Sequence, residues 1–215
     1  MTSPDPTPTR TAVSLARGVT ATGWYIASSM VFFLIGALLV WGVIVLVARG
    51  GWRDPVTLVG FLGLSTIVVV TTIVLLARYR RDGDLDDADR PSGGRRFLSL
   101  PVVAGVLASV GVGLVSASAL LGAALVGTVL CLVRWPPGIR WRGVVLLEVA
   151  LAVLWVVELS RASGGSDAFL PAFFALSLPA MQALSLWSWD VVLELDRARR
   201  TEARLAAVQE RLLLA

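Results

Sequence analysis

Long apolar runs alternate with short polar or charged segments along most of this chain, and the alternation predicts its architecture. The first run opens at Trp24 and continues to Ala48 without a charge. It is far longer than the roughly 7–15 residue apolar region of a cleaved signal peptide, so it is expected to stay in the membrane. Its length suffices to cross a hydrocarbon core of about 30 Å. A second run begins near Pro55, a residue suited to a helix start, and ends at Ala77. Phe97 to Val133 is too long for one ordinary crossing and just long enough for two, with Ser116, Ala117 and Ser118 offering the turn of a tight helical hairpin. One span plus a re-entrant segment is the alternative there. A fifth run extends from Gly143 to about Ser160, and a sixth from Phe169 to about Trp187, with Pro171 tolerated in its first turn and Pro179 expected to kink its interior. The pattern predicts an all-α, polytopic membrane helical bundle of about six transmembrane helices over residues 24–189. A disordered, proline-bearing cytoplasmic tail (1–23) precedes it, and a cytoplasmic linker helix (190–215) that begins a dimerisation region follows.

The segments between the runs sharpen this picture. Arg78 to Arg96 holds Asp82, Asp84, Asp86, Asp87 and Asp89 among arginines and the Gly93-Gly94 pair, and reads as a solvated loop. It lacks the correctly placed glycine and terminal glutamate of a calcium loop, so no metal site is assigned to it. Gly105, Gly111, Gly113, Gly122 and Gly127 provide small faces for close helix contact, although they do not form a clean GxxxG repeat.

Composition then narrows the chemistry. Hydrophobic residues make up 56% of the 215, against 16% charged, more than a soluble core of this size needs, so the surplus is expected to face lipid. There is no histidine, all 19 basic residues are arginine, and Cys131 is the single cysteine, set in an apolar run. Histidine bases and ligands, Schiff-base or P-loop lysines and CxxC redox pairs are therefore excluded within these residues. No catalytic residue and no cofactor is assigned to the chain. The net charge of +4 does not point to nucleic acid, because the arginines flank apolar runs instead of forming one basic face. Sixteen of them fall in the tail, the second and fourth connections and the C-terminal segment, and three in the first and fifth connections. The bias places both termini on the cytoplasmic side of a multi-pass protein of the cell membrane. Trp24, Trp135, Trp141, Trp187 and Trp189 sit at the expected cytoplasmic ends of the spans, as an aromatic belt would.

From Asp190 the chain turns amphipathic without a helix breaker. Val191, Ala198, Leu205 and Leu212 repeat every seven residues, with Leu195 on one flank and Val208 on the other. Two heptad registers share these positions, each with polar interruptions, a pattern suited to a helix that carries a rotation or register shift. A plain amphipathic juxtamembrane helix is the alternative. The stretch LWSWDVVLELDRARRTEARLAAVQERLLLA, Leu186 to Ala215, resembles the membrane exit and linker helix of actinobacterial sensor histidine kinases of the DesK/NarX-like branch, most clearly over Ala203 to Leu212. The resemblance implies a homodimeric membrane sensor within a two-component system, coupled to a kinase core with ATP and magnesium, and through that core alone to a response regulator. It departs from the family in lacking the phosphoacceptor histidine, so the chain is expected to be truncated before the H-box and inactive as a kinase by itself.

Two carboxylates lie within the runs, Glu148 and Glu158, both on the fifth. Buried membrane carboxylates are costly and mark candidate functional positions. Trp141, Glu148 and Trp155 are spaced by sevens on one stripe, and Glu158 lies about a turn beyond Trp155, near the outer end. Glu148, Glu158 and Trp155 are the candidate sensing residues, with a hydrogen-bonded packing role as the alternative for Glu148. The functional expectation is a sensor relaying a membrane or envelope signal through its last helix. A small transporter or channel is the second reading, supported by Pro179 and Glu148 but without a convincing internal repeat.

Overall fold

The computed structural model describes residues 10–48, 54–83, 99–133, 135, 137–161 and 169–213. Among them every regular element is an α-helix: α1 (Arg10–Ala48), α2 (Pro55–Gly83), α3 (Leu100–Val115), α4 (Ala119–Cys131), α5 (Pro137–Arg161) and α6 (Phe169–Leu213). Two boundaries differ from the sequence expectation. Helix α1 starts at Arg10, so residues 10–23 belong to a helix and not to a tail; after Pro8 no further proline interrupts the run. Helix α2 continues past Ala77 to Gly83, and the reason is Tyr79, whose side chain is buried against other helices and gives the added turn a tertiary anchor. The expected tail up to Thr9, the aspartates from Asp84 onward and the links 49–53 and 162–168 lie outside the described residues.

Three segments are long and apolar enough to cross a membrane, Ala21–Gly42 in α1, Pro55–Arg81 in α2 and Ile139–Ser160 in α5. Their outward faces carry large apolar side chains, Phe32, Leu62, Leu146 and Val153 among them, which suits a hydrocarbon solvent and not water. The region expected to hold two spans forms two helices, but they have 16 and 13 residues, about 24 and 20 Å long, short of a hydrocarbon core.

For α4 the brevity has a reason in the packing, because it is the innermost element and packs on α3, α5 and α6. An apolar helix buried on most sides needs no lipid-facing length. Its glycines and those of α3 set the spacing. A Cβ on Gly113 would lie 2.9 Å from the Cα of Gly122, so the hairpin crosses backbone against backbone, and Gly127 receives the side chain of Leu147 from α5. The connecting turn is a Schellman closure: Ser118 N–H donates to Gly113 O at 2.9 Å and Ala117 N–H to Leu114 O at 3.1 Å. Ala117 takes the left-handed conformation, φ 47°, that this closure demands.

The core is stacked in two tiers along the bundle. One joins Leu34, Trp41, Phe61, Val68, Val112, Leu121 and Leu178; the other joins Met30, Leu76, Tyr79, Val102, Val129, Leu186 and Trp189. Reading each helix through the tiers shows that α1 to α4 and α6 alternate in direction, so α1 enters and α6 leaves at the same end of the bundle.

Candidate functional site

Helix α6 is one element of 45 residues, about 67 Å long. It begins packed in the first tier through Ala175 and Leu178, passes the second tier through Leu186, Trp189 and Leu193, and then leaves the other helices. No breaker separates the apolar half from the charged half, and Pro179 is accommodated in its interior.

The point of departure is held by a three-helix clasp. Asp190 of α6 accepts hydrogen bonds from the Tyr79 hydroxyl of α2, at 2.8 Å to Oδ1 and 2.7 Å to Oδ2, and from Arg140 Nη1 of α5 at 2.7 Å. Arg140 Nη1 also reaches the Tyr79 oxygen at 3.3 Å. Arg140 and Asp190 are 13% and 26% exposed, so their attraction is only partly screened. One position later on α2 and one earlier on α6 lies an aromatic stack: the Arg80 guanidinium sits 4.6 Å from the ring centroid of Trp24 and 5.8 Å from that of Trp189. The Trp189 indole in turn lies on the bare backbone of Gly23, where a Cβ would approach it to 2.3 Å.

Beyond the clasp the proposed signalling positions separate into two groups. Val191 is half-buried and still packed at the bundle end, whereas Leu195, Ala198, Leu205, Val208 and Leu212 are exposed. The spacing of seven thus continues as an apolar stripe along the part of α6 that has left the other helices.

The candidate sensing residues are not gathered into one place. Glu148 is directed at α6, where its carboxyl meets the backbone at Ala180, immediately after the Pro179 position, while its Oε1 is buried without a hydrogen-bond partner. Glu158 lies about 15 Å further along α5 and accepts a hydrogen bond from Leu120 N–H at 2.9 Å. It caps the N-terminus of α4 beside Ser118, whose hydroxyl oxygen accepts from Leu121 N–H at 3.3 Å, so its charge complements the helix dipole. Trp155 packs against the first tier with its Nε1 buried and unbonded. A third polar group, absent from the sequence expectation, is Gln182, fully buried, donating from Nε2 to Met30 O at 3.4 Å. Cys131 is buried and meets Pro179 O at 3.9 Å, the packing role expected of it.

Sequence reasoning missed the clasp. It counted Arg140 as a topology signal and Asp190 as the first residue of the linker, and it assigned Tyr79 nothing. The available signal was Asp190 as the first acid after the apolar run of the last helix, at the membrane boundary where an unpaired carboxylate is costly. No protein-family model, no curated protein and no solved structure matches this chain.

Proposed function

We propose that this chain is a six-span membrane sensor and relay, with the kinase core of a DesK/NarX-like two-component histidine kinase as the element it drives. The observation that carries the reading is α6, a single helix that is packed at one end, clasped where it leaves the bundle, and striped with apolar residues beyond it. A relay needs these three parts: a region that feels the bilayer, a defined fulcrum and a rod with a dimerisation seam. The heptad spacing of the exposed stripe supports a parallel homodimer about α6. The arginine bias supports cytoplasmic placement of both chain ends, and with it six crossings in which the short α3 and α4 complete the bundle from within. In this reading ATP, magnesium and a response regulator belong to the kinase core.

The test is a cysteine scan of the full chain in proteoliposomes, with Cys131 replaced by serine and single cysteines placed at Val191, Ala198, Leu205, Leu212 and the positions between. Disulfide yield is expected to peak at seven-residue intervals on the stripe. Uniformly low yield, or a yield that follows exposure alone, refutes the dimeric relay.

A second reading, a small transporter or channel, is favoured by two polar groups beside Pro179, Glu148 from α5 and Gln182 of the proline-bearing helix α6 itself. It requires solute flux across proteoliposomes carrying the purified chain, and the flux must fall in Glu148→Gln.

A further inference from the structure

We infer that the Arg80–Trp24–Trp189 stack is a binding site for the phosphate of an anionic phospholipid, in the leaflet at the end of the bundle where α6 leaves. This inference rests on the membrane placement of the bundle but not on the kinase reading.

Three observations converge on it. Arg80 lies within cation–π distance of two indoles, which restrains the guanidinium at this end of the bundle without using its N–H donors, the groups a phosphate would take up. The carboxylate of Asp190, next to Trp189, is engaged by Arg140 and Tyr79, and among the described residues Arg80 has no ion-pair partner. The site also lies on the outside of the bundle, with Trp24 62% exposed and Arg78 and Arg81 exposed on the same final stretch of α2.

The rest of a lipid has a matching surface on α1. Trp24, Ser28, Phe32, Ile35 and Leu39 succeed one another at three- or four-residue steps, all exposed, and so form one track leading away from Arg80. Ser28 is its one polar member, a turn below the Trp24 ring, at the depth where the glycerol and ester oxygens of a lipid bound at Arg80 would lie. Below it Phe32, Ile35 and Leu39 are wholly apolar. Phosphate at Arg80, glycerol and esters at Trp24 and Ser28, and hydrocarbon from Phe32 onward place each part of a phospholipid on the chemistry that accepts it. Interfacial arginines attract anionic headgroups, and tryptophan rings favour the headgroup depth. Because Trp189 belongs to α6 and abuts Asp190, an occupied site touches the helix at its fulcrum.

The experiment is native mass spectrometry of the detergent-solubilised full chain, titrated with phosphatidylglycerol and with phosphatidylcholine of identical acyl chains. Preferential retention of the first phosphatidylglycerol is expected. Arg80→Gln is expected to weaken it about fivefold, the value of one interfacial arginine, and to leave phosphatidylcholine unchanged. Trp24→Leu, at an exposed position where folding is not at stake, is expected to weaken it about twofold or more through loss of the cation–π contact. Arg142→Gln, an exposed arginine outside the stack, is the control and is expected to have no effect. Equal loss in Arg142→Gln and Arg80→Gln would mean diffuse attraction and overturn the site, as would unaltered binding in both Arg80→Gln and Trp24→Leu. Competition by inorganic phosphate or glycerol 3-phosphate at concentrations comparable to the lipid would assign the site to a soluble anion and overturn the lipid.

Discussion

Removing the carboxylate of the clasp isolates the interaction that fixes α6 at its exit. Asp190→Ala withdraws the acceptor from both the Tyr79 hydroxyl and Arg140 Nη1. Tyr79 is 3% exposed and Arg140 13%, so neither donor regains full hydration where it stands. A hydrogen bond to a charged group contributes about 1.5–3 kcal/mol, and breaking a fully buried ion pair costs about 3–5 kcal/mol. The 26% exposure of Asp190 places this site below the buried limit, giving about 2–3 kcal/mol for Asp190→Ala. Tyr79→Phe removes one donor and leaves the Arg140–Asp190 pair intact, for a loss of about 1.5 kcal/mol. Because both substitutions act on the same bonds, the double variant is expected to cost little more than Asp190→Ala, with a coupling of about 1–1.5 kcal/mol. Reversible unfolding in mixed micelles with rising dodecyl sulfate fraction, followed by far-ultraviolet circular dichroism, measures all four proteins. A loss under about 0.5 kcal/mol for Asp190→Ala, or strict additivity of the two changes, would show that the clasp does not restrain α6.

The hairpin, the cap of α4 and the start of α2 yield further expectations. Ala117→Gly is expected to stabilise the protein by about 0.5–1 kcal/mol in the same unfolding assay, because it relieves a left-handed alanine at φ 47°, partly offset by the added freedom of the unfolded chain. Glu158→Ala leaves the Leu120 N–H without its acceptor and is expected to cost about 1–2 kcal/mol, with Glu158→Gln recovering part of it; equal stability of all three proteins would contradict the capping role. Asp54 accepts from the Thr57 hydroxyl and from the Val56 and Thr57 amides at the start of α2, and these bonds, the hydroxyl first, hold its carboxyl below the ordinary value of 3.8. A lowered folded value means that the capping contribution is complete above the ordinary range and disappears as the pH falls through the folded value. Amide exchange at Val56 and Thr57 is expected to rise on acidification in the native chain and to be insensitive to pH over that interval in Asp54→Asn, once the intrinsic pH dependence of exchange is removed.

Local signals carried much of the architecture. Ser116 to Ser118 was readable as a turn because small residues interrupt a run too long for one crossing, and the structure places the hairpin there. The glycines of α3 and α4 were readable as contact faces, since only bare backbone permits approaches such as Gly113 to Gly122. Continuity of α6 followed from the lack of any breaker between Trp187 and the charged segment. Less was readable at the helix ends and at the polar sites. The residues from Arg10 to Gly23 look polar in sequence yet continue α1, because their helix is nucleated by the apolar stretch that follows. Glu158 looked like a second sensing carboxylate, and its engagement by Leu120 comes from a helix start 38 positions away.

What the sequence by itself determined is the class of solvent and the elements that tolerate it: apolar runs, their charged borders and the periodicity of the last helix are one-dimensional properties, fixed by transfer free energy and by the α-helical repeat. Tertiary structure alone decided which helix lies innermost, why that helix, α4, is short, and how α6 is held where it leaves. Tyr79 and Asp190 are 111 positions apart, and Arg140 and Asp190 are 50 apart. No local pattern encodes such a meeting. It arises because alternating helices bring the end of α2, the start of α5 and the middle of α6 to one end of the bundle, where a charge that is costly alone is stabilised by its partners.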